Sequence, residues 1–188
     1  MPHLFKEFPK VNYDIKKNGK LESVTNIMLR FKITEAIRSR KVIYYEYNVQ
    51  DGERPDIIAH KYYGDSTLDW VILMVNNALD PIYDWPLSNH ALEKYIANKY
   101  GSLSTAHATV HEYRKILNQQ SRSFDGSVIP KRTLVVDQTT FASLGATEKE
   151  SVSKYDYEVE RNESKRQIKL IDADFISNVV NQYESIFD

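Results

Sequence analysis

The sequence predicts an α+β fold: a small domain in which a strand leads into two short helices, with a further helix and later strands inserted. An extended arm precedes it, and a C-terminal arm ends in an amphipathic helix. Three observations predict this. "KVIYYEYNV" supplies β-branched and aromatic residues without Gly or Pro, the composition of a strand from Val42 to Val49. Two short helical patterns follow, one bounded by Pro55 and Gly64, the other by Ser66 and the pair Asn76-Asn77. The last residues place Ile176, Val179, Val180, Tyr183 and Phe187 on one stripe. The expected divisions are 1–41 for the arm and a short helix, 42–145 for the domain with its insertion, and 146–188 for the second arm.

From the N-terminus, Pro2 to Lys20 is polar and punctuated by Pro2, Pro9 and Gly19, which reads as an extended arm. In "SVTNIMLRFKITEAIRSR", Ile27, Phe31 and Ile37 fall near helical spacing, with Ser23 or Thr25 as caps. Asp51-Gly52 ends the strand in a turn. Pro55 suits a first helical turn, where its missing N–H costs nothing, and Glu53 and Asp56 sit near the positive end of the helix dipole. Ile58, Ala59 and Tyr62 give this helix an apolar face, and Gly64 closes it.

Ser66 caps the second helix, with Asp69 three positions on. Leu68, Val71, Ile72 and Val75 lie at i, i+3, i+4 and i+7, while Trp70, Leu73 and Met74 fill the other side. A helix apolar nearly all round must be covered on more than one face. Pro81 forbids its continuation. "SNHALEKYIANKYGS" reads as a third helix, carrying Leu92, Tyr95, Ile96 and Tyr100 on one side and stopped by Gly101. "HATVHEYRKIL" and "KRTLVVDQTTF" read as strands around the loop "NQQSRSFDGSVIP", and "ASLGATEKESVSK" as a polar connector. "YDYEVERNESKRQIKLI" interleaves charges with sparse aliphatics before the final helix, capped by Asp172 or Asp174.

Composition narrows the function. The formal charge is −1 over 188 residues, with both signs mixed, so nothing pulls the chain toward nucleic acid or an acidic membrane. No cysteine occurs, which excludes disulfides, thiol catalysis and thiolate zinc sites. "MPHLFKEFPK" holds no apolar signal core, and the run Trp70 to Val75 is far short of the ~20 residues of a membrane span. A soluble protein kept in a reducing compartment is expected.

Candidate chemistry is sparse. His107 and His111, four apart on an expected strand, would lie ~13 Å apart, too far to share one ion. Asp65, Asp69, Asp80 and Asp84 supply carboxylates for a glycosidase pair, but each also reads as a turn or cap residue beside Gly64, Ser66, Pro81 or Trp85. No nucleophile elbow, P-loop or dinucleotide fingerprint occurs. The expectation is therefore no catalytic residue, no metal and no cofactor. Aromatics are the informative feature: Tyr44, Tyr45, Tyr47, Tyr62, Tyr63, Tyr83, Trp70 and Trp85 cluster together. Such rings fill a core, stack on sugars or anchor a protein interface.

The pattern Gly52, Glu53, Ile58, Ala59, Tyr63, Gly64 and Asn76 or Asn77 resembles a LysM module, a β-α-α-β fold that binds N-acetylglucosamine polymers. Arg54-Pro55 departs from the module's usual Thr-Leu, and "DPIYDWPLSNHALEKYIANKYG" stands where its second strand is due. The longer stretch "YYEYNVQDGERPDIIAHKYYGDSTLDWVILMVNNALDPIYDWPLS" resembles the LysM-containing baseplate wedge subunits of contractile-tailed, T-even-like bacteriophages. Arg54, Pro55, Tyr63, Gly64, Trp70, Asn76, Asp80, Pro81 and Trp85 carry that likeness, as does "NESKRQIKLI" before the terminal helix.

The resemblance implies a non-enzymatic virion protein, assembled in the host cytoplasm into a sixfold hetero-oligomeric baseplate, clamping neighbouring wedges around the hub. Its implied partners are other wedge subunits and the sheath-initiating region, with no nucleic acid or membrane. Partner contacts are then expected from Arg54, Tyr62, Tyr63 and Trp85, and from Ile176, Val179, Val180, Tyr183 and Phe187 docking in another subunit's groove. Ile58, Ala59, Gly64, Leu68, Trp70, Val71, Ile72 and Val75 would form the structural core. A peptidoglycan-binding module is the alternative. Whether the late strands pair with Val42 to Val49 or form their own sheet stays open.

Overall fold

The structure, a computed structural model, describes residues 4–6, 8–28 and 44–187, with side chains to Tyr183. The expected helix through Phe31 and Ile37, and the first residues of the Val42 strand, lie outside the described residues. In chain order the elements are β1 (Lys10–Tyr13), β2 (Glu22–Thr25), β3 (Tyr44–Asn48), α1 (Pro55–Tyr63), a 3-10 turn (Ser66–Leu68) and α2 (Asp69–Val75). Then come α3 (Asn89–Tyr100), α4 (Leu103–Ala108), β4 (Val110–Asn118), β5 (Ser121–Arg122), β6 (Val128–Ile129) and β7 (Arg132–Val136). The chain ends with α5 (Gln138–Ser143), β8 (Lys149–Ser153), α6 (Lys154–Glu163), β9 (Gln167–Ile171) and α7 (Ala173–Phe187). The fold is mixed α and β.

Two compact units share the chain: Met1–Pro86 with Lys165–Asp188, and Leu87–Ser164. These differ from the sequence divisions at 41/42 and 145/146. The reason is that β9, read as part of an arm, is the strand partner of β3: Tyr44 lies opposite Ile171 and Asn48 opposite Gln167, antiparallel. The late strands β4 and β7 pair instead with each other and with β8, in the order β7-β4-β8.

In the first unit, α1 begins where Arg54 is extended and Pro55 takes the first helical position, and it ends at Gly64, whose φ of 75° is left-handed. Asp65 starts the next turn by accepting from the Thr67 N–H (2.9 Å) and hydroxyl (2.8 Å). The pair β3–β9 and helices α1 and α2 enclose a core that includes Ile58, Ala59, Leu68, Trp70, Val71 and Ile72, all buried, with Val75 half-buried against it. Ile168, Leu170 and Ile171 of β9 complete it. Each such aliphatic contributes roughly 1.5–3 kcal/mol before chain entropy is counted.

Helix α7 closes the same core. Val179 and Tyr183 are buried, and the Tyr183 ring lies 4.9 Å from that of Trp70 while its hydroxyl donates to the Leu4 carbonyl. Ile176 and Val180 are half-buried on the same cluster. Four residues of the terminal stripe expected to dock in another subunit, Ile176, Val179, Val180 and Tyr183, are thus covered by their own chain. The all-round apolar α2 needs this second cover, which is the physical reason. The Phe187 side chain lies outside the described residues.

The N-terminal arm is not featureless. β1 and β2 form an antiparallel hairpin with Val11 opposite Val24. Its turn is set by the Asp14 carboxylate, which accepts from the N–H groups of Asn18 (3.0 Å) and Gly19 (2.7 Å).

In the second unit Ser102 caps α4 by accepting from the Thr105 N–H at 3.0 Å, so "HATV" is helical up to Ala108 and β4 starts only at Val110. The expected polar connector contains β8, and the charged segment after it supplies α6 and then β9. Leu92, Ile96 and Ala106 form a small core. Beside it Glu158 is buried and accepts from Lys99 Nζ (2.6 Å) and the Tyr100 hydroxyl (2.8 Å). Burial opposes ionisation of Glu158, but these two donors outweigh it and hold the carboxyl below its usual range. His107 and His111 stack on Tyr155 and Tyr157, at 3.9 and 3.8 Å between ring centres. They serve as packing surfaces on two different elements.

Candidate interaction surface

The turn between β3 and α1 is organised by one buried carboxylate. Glu53 accepts from the Tyr47 hydroxyl (2.8 Å), the Gln50 N–H (3.1 Å) and Lys61 Nζ. Its backbone carbonyl accepts from Trp85 Nε1 at 2.8 Å. Burial pushes the Glu53 carboxyl up, yet the donors Lys61, Gln50 and Tyr47 prevail and keep it below the ordinary value. The turn is therefore rigid, and the chain near Trp85 is fastened to it. Gly52, with φ of 72°, supplies the backbone bend.

The loop that leads from α2 to Trp85 is equally braced. Ala78 N–H donates to the Leu73 carbonyl (2.8 Å). One Asp84 oxygen accepts from the N–H groups of Leu79 and Asp80, both at 2.9 Å. Asp80 accepts from those of Ile82 (2.8 Å) and Tyr83 (3.1 Å), and Lys165 Nζ holds the Tyr83 carbonyl at 2.6 Å. With the polar groups turned inward, the apolar side chains point out: Leu79 is 76% exposed, Ile82 66% and Tyr83 66%. A fixed cluster of exposed aliphatic and aromatic groups is the anatomy of a protein-contact site.

Next to this turn, Arg54 forms a two-pronged pair with Asp56, at 2.9 and 2.6 Å, on the surface. Tyr62 is half-buried, edge-on to Tyr45 (6.2 Å) and Tyr63 (5.1 Å). Tyr63 donates to the Ile171 carbonyl at 3.0 Å, and burial raises its phenol well above the ordinary value. Of the residues expected to meet partners, Arg54 and Tyr62 thus reach the surface. Trp85 does not: it is buried, because its indole N–H is spent on the Glu53 carbonyl and its rings on the core.

The four aspartates suggested for hydrolysis serve the backbone. Asp65 and Asp69 accept at helix starts, and Asp80 and Asp84 shape the loop. Sequence reasoning left Leu79 and Ile82 out of the site. Their signal was "LDPIYD", two aspartates four apart around a proline, the pattern of a self-braced turn that leaves its apolar residues outside.

Asn76 has a structural task that its position after α2 did not disclose. Its Nδ2 donates to the carbonyls of Ile72 and Lys169, and its Oδ1 accepts from the Lys169 N–H, each at 2.8 Å. The side-chain amide so acts as a peptide unit on the outer edge of β9.

The chain matches the family described as "Base plate wedge protein 53" over residues 3–186. It belongs to that family. It is also similar to baseplate wedge protein gp53 of Enterobacteria phage T4, at 24% identity over 201 aligned positions, covering 98% of this chain and 96% of that protein. This wedge protein is accordingly a structural subunit of the phage-tail baseplate in the virion, associated with other baseplate components. The family match runs through both compact units, so the insertion belongs to the wedge protein's own design.

Proposed function

We propose that this wedge protein clamps neighbouring wedges around the hub in a sixfold baseplate assembled in the host cytoplasm, meeting other wedge subunits and the sheath-initiating region. The order β3–α1–α2–β9 supports descent from a LysM-like β-α-α-β module whose sugar-binding loops have become a protein joint. The observation that carries the reading is the braced loop with Leu79, Ile82 and Tyr83 held outward beside the Glu53 turn. A sugar groove needs polar groups aimed at the ligand. Here the loop's carboxylates are directed to its own backbone. Arg54 and Tyr62 extend the contact face.

The test supplies Leu79→Ser/Ile82→Ser in trans to a phage whose own copy of the gene is inactivated, and measures the chain in purified baseplates. Incorporation should fall by at least roughly tenfold with the thermal unfolding of the isolated protein unchanged. Normal incorporation refutes the joint. Saturable binding of the isolated protein to purified cell wall, competed by chitin fragments, would favour the peptidoglycan reading instead.

A further inference from the structure

We propose that the β5–β6 hairpin is an anchoring finger, and that Phe124 at its tip seats in an apolar, acid-rimmed pocket of another baseplate protein. The inference rests on the structural role argued above but concerns the other compact unit and a separate contact. Phe124 is 108% exposed, as open as a residue of an extended chain. An aromatic ring on a slack loop folds back onto the nearest apolar surface, because burying it is favourable. The tip prevents this.

Ser123 N–H donates to the Ser127 carbonyl (2.8 Å), and Gly126 N–H to the Ser123 carbonyl (3.0 Å). Asp125 accepts from the Ser127 N–H (3.0 Å) and hydroxyl (2.6 Å). Gly126 takes the φ of 83° that this tight turn requires. Below the tip Arg122 pairs with Val128 and Ser121 with Ile129. Asn118 Nδ2 holds the Pro130 carbonyl at 3.0 Å, fixing the finger's base. The polar groups of the tip are bonded to one another, and the ring stands out from them, with Val128 and Ile129 exposed below it. The backbone of such an anchor has little entropy left to lose on binding, and only the two torsions of the ring remain to be fixed.

Charge and area select the occupant. Arg122 and Arg132 flank the finger as exposed cations, Lys131 is paired with Glu150, and the finger's one acid, Asp125, accepts from the tip's own Ser127. A complementary pocket is therefore rimmed by carboxylates. A Phe side chain offers ~200 Å², far less than the ~800 Å² per partner of a stable pair. The finger cannot hold two copies of this chain together in solution. It fits an assembly in which other contacts already keep the partner close, so that one anchor adds to avidity.

The experiment expresses Phe124→Ala in full-length protein, in trans to a phage with its own gene inactivated, and quantifies the chain in purified baseplates. Incorporation at limiting expression should fall roughly tenfold, with the unfolding transitions of the isolated protein unchanged, since the ring packs on nothing to be lost. Phe124→Leu should restore part of it. A benzophenone amino acid at position 124 should crosslink to a different baseplate protein. Normal incorporation of Phe124→Ala, or crosslinking only to a second copy of this chain, overturns the finger while leaving the loop joint intact. Absence of the unsubstituted chain from baseplates would overturn both.

Discussion

Replacing Tyr183 tests whether α7 belongs to the fold or to a partner. Its ring is buried against Trp70, 4.9 Å away, and its hydroxyl meets the Leu4 carbonyl. Truncating a buried aromatic to Ala costs about 3–5 kcal/mol, and removing only the hydroxyl about 1 kcal/mol. With a urea slope near ~2 kcal/mol per molar, Tyr183→Ala should lower the midpoint by about 1.5–2.5 M and Tyr183→Phe by about 0.5 M. Against a domain stability of ~5–15 kcal/mol the first loss is severe. The assay is selective. The chain has two tryptophans, Trp70 and Trp85, and both sit in the core that α7 closes, so indole fluorescence follows this unit alone. Truncation after Asp172 should abolish the cooperative fluorescence transition. If that truncation instead unfolded within about 1 kcal/mol of the full chain, α7 would not be part of the core and the burial argument would be refuted.

Asn76→Ala removes the amide that bridges Ile72 and Lys169, and should cost about 1–2 kcal/mol by the same fluorescence measurement. Asn76→Asp should be no better, since it keeps the acceptor for the Lys169 N–H but faces two carbonyls with a charge. Glu53, held below its ordinary value of 4.5, contributes stability that is complete above that value and lost as pH falls through the folded value. Urea midpoints read by indole fluorescence should therefore fall below about pH 4.5, and Glu53→Gln should flatten that dependence while lowering stability at neutral pH.

Local punctuation made α1 and α2 legible. Pro55, Gly64 and the 3-4 spacing of Leu68, Val71, Ile72 and Val75 act within a few residues, where steric and capping rules suffice. The partner of β3 was illegible for the opposite reason. Gln167–Ile171 is short, and a whole compact unit separates it from Tyr44–Asn48. Nothing in "QIKLI" names its partner. The same gap hides what covers α7. An apolar stripe shows that a helix must be covered, and it cannot say whether the cover is its own chain or another. Trp85 carries the corresponding lesson for single residues, since only the Glu53 carbonyl opposite its indole decides that it points inward.

The insertion is tolerated because each unit closes its own ends. In the second unit the Asn162 side chain accepts from the Leu87 N–H (2.7 Å) and donates to the Leu87 carbonyl (3.0 Å), pinning the segment's first residue beside its last helix. In the first unit Lys165 reaches the Tyr83 carbonyl and Arg166 offers its carbonyl to the Val49 N–H at 2.9 Å, so the chain returns directly into β9 register. Closing a long loop costs free energy that grows only with the logarithm of its length. Once both ends are tied, the inserted unit adds little strain to the β3–β9 pair. The loop from Leu79 to Tyr83, proposed above as a joint, is then shaped by the same Lys165 that marks the return. Removing that cation should loosen the joint before it unfolds the core, and Lys165→Ala should reduce baseplate incorporation more than it shifts the indole unfolding midpoint.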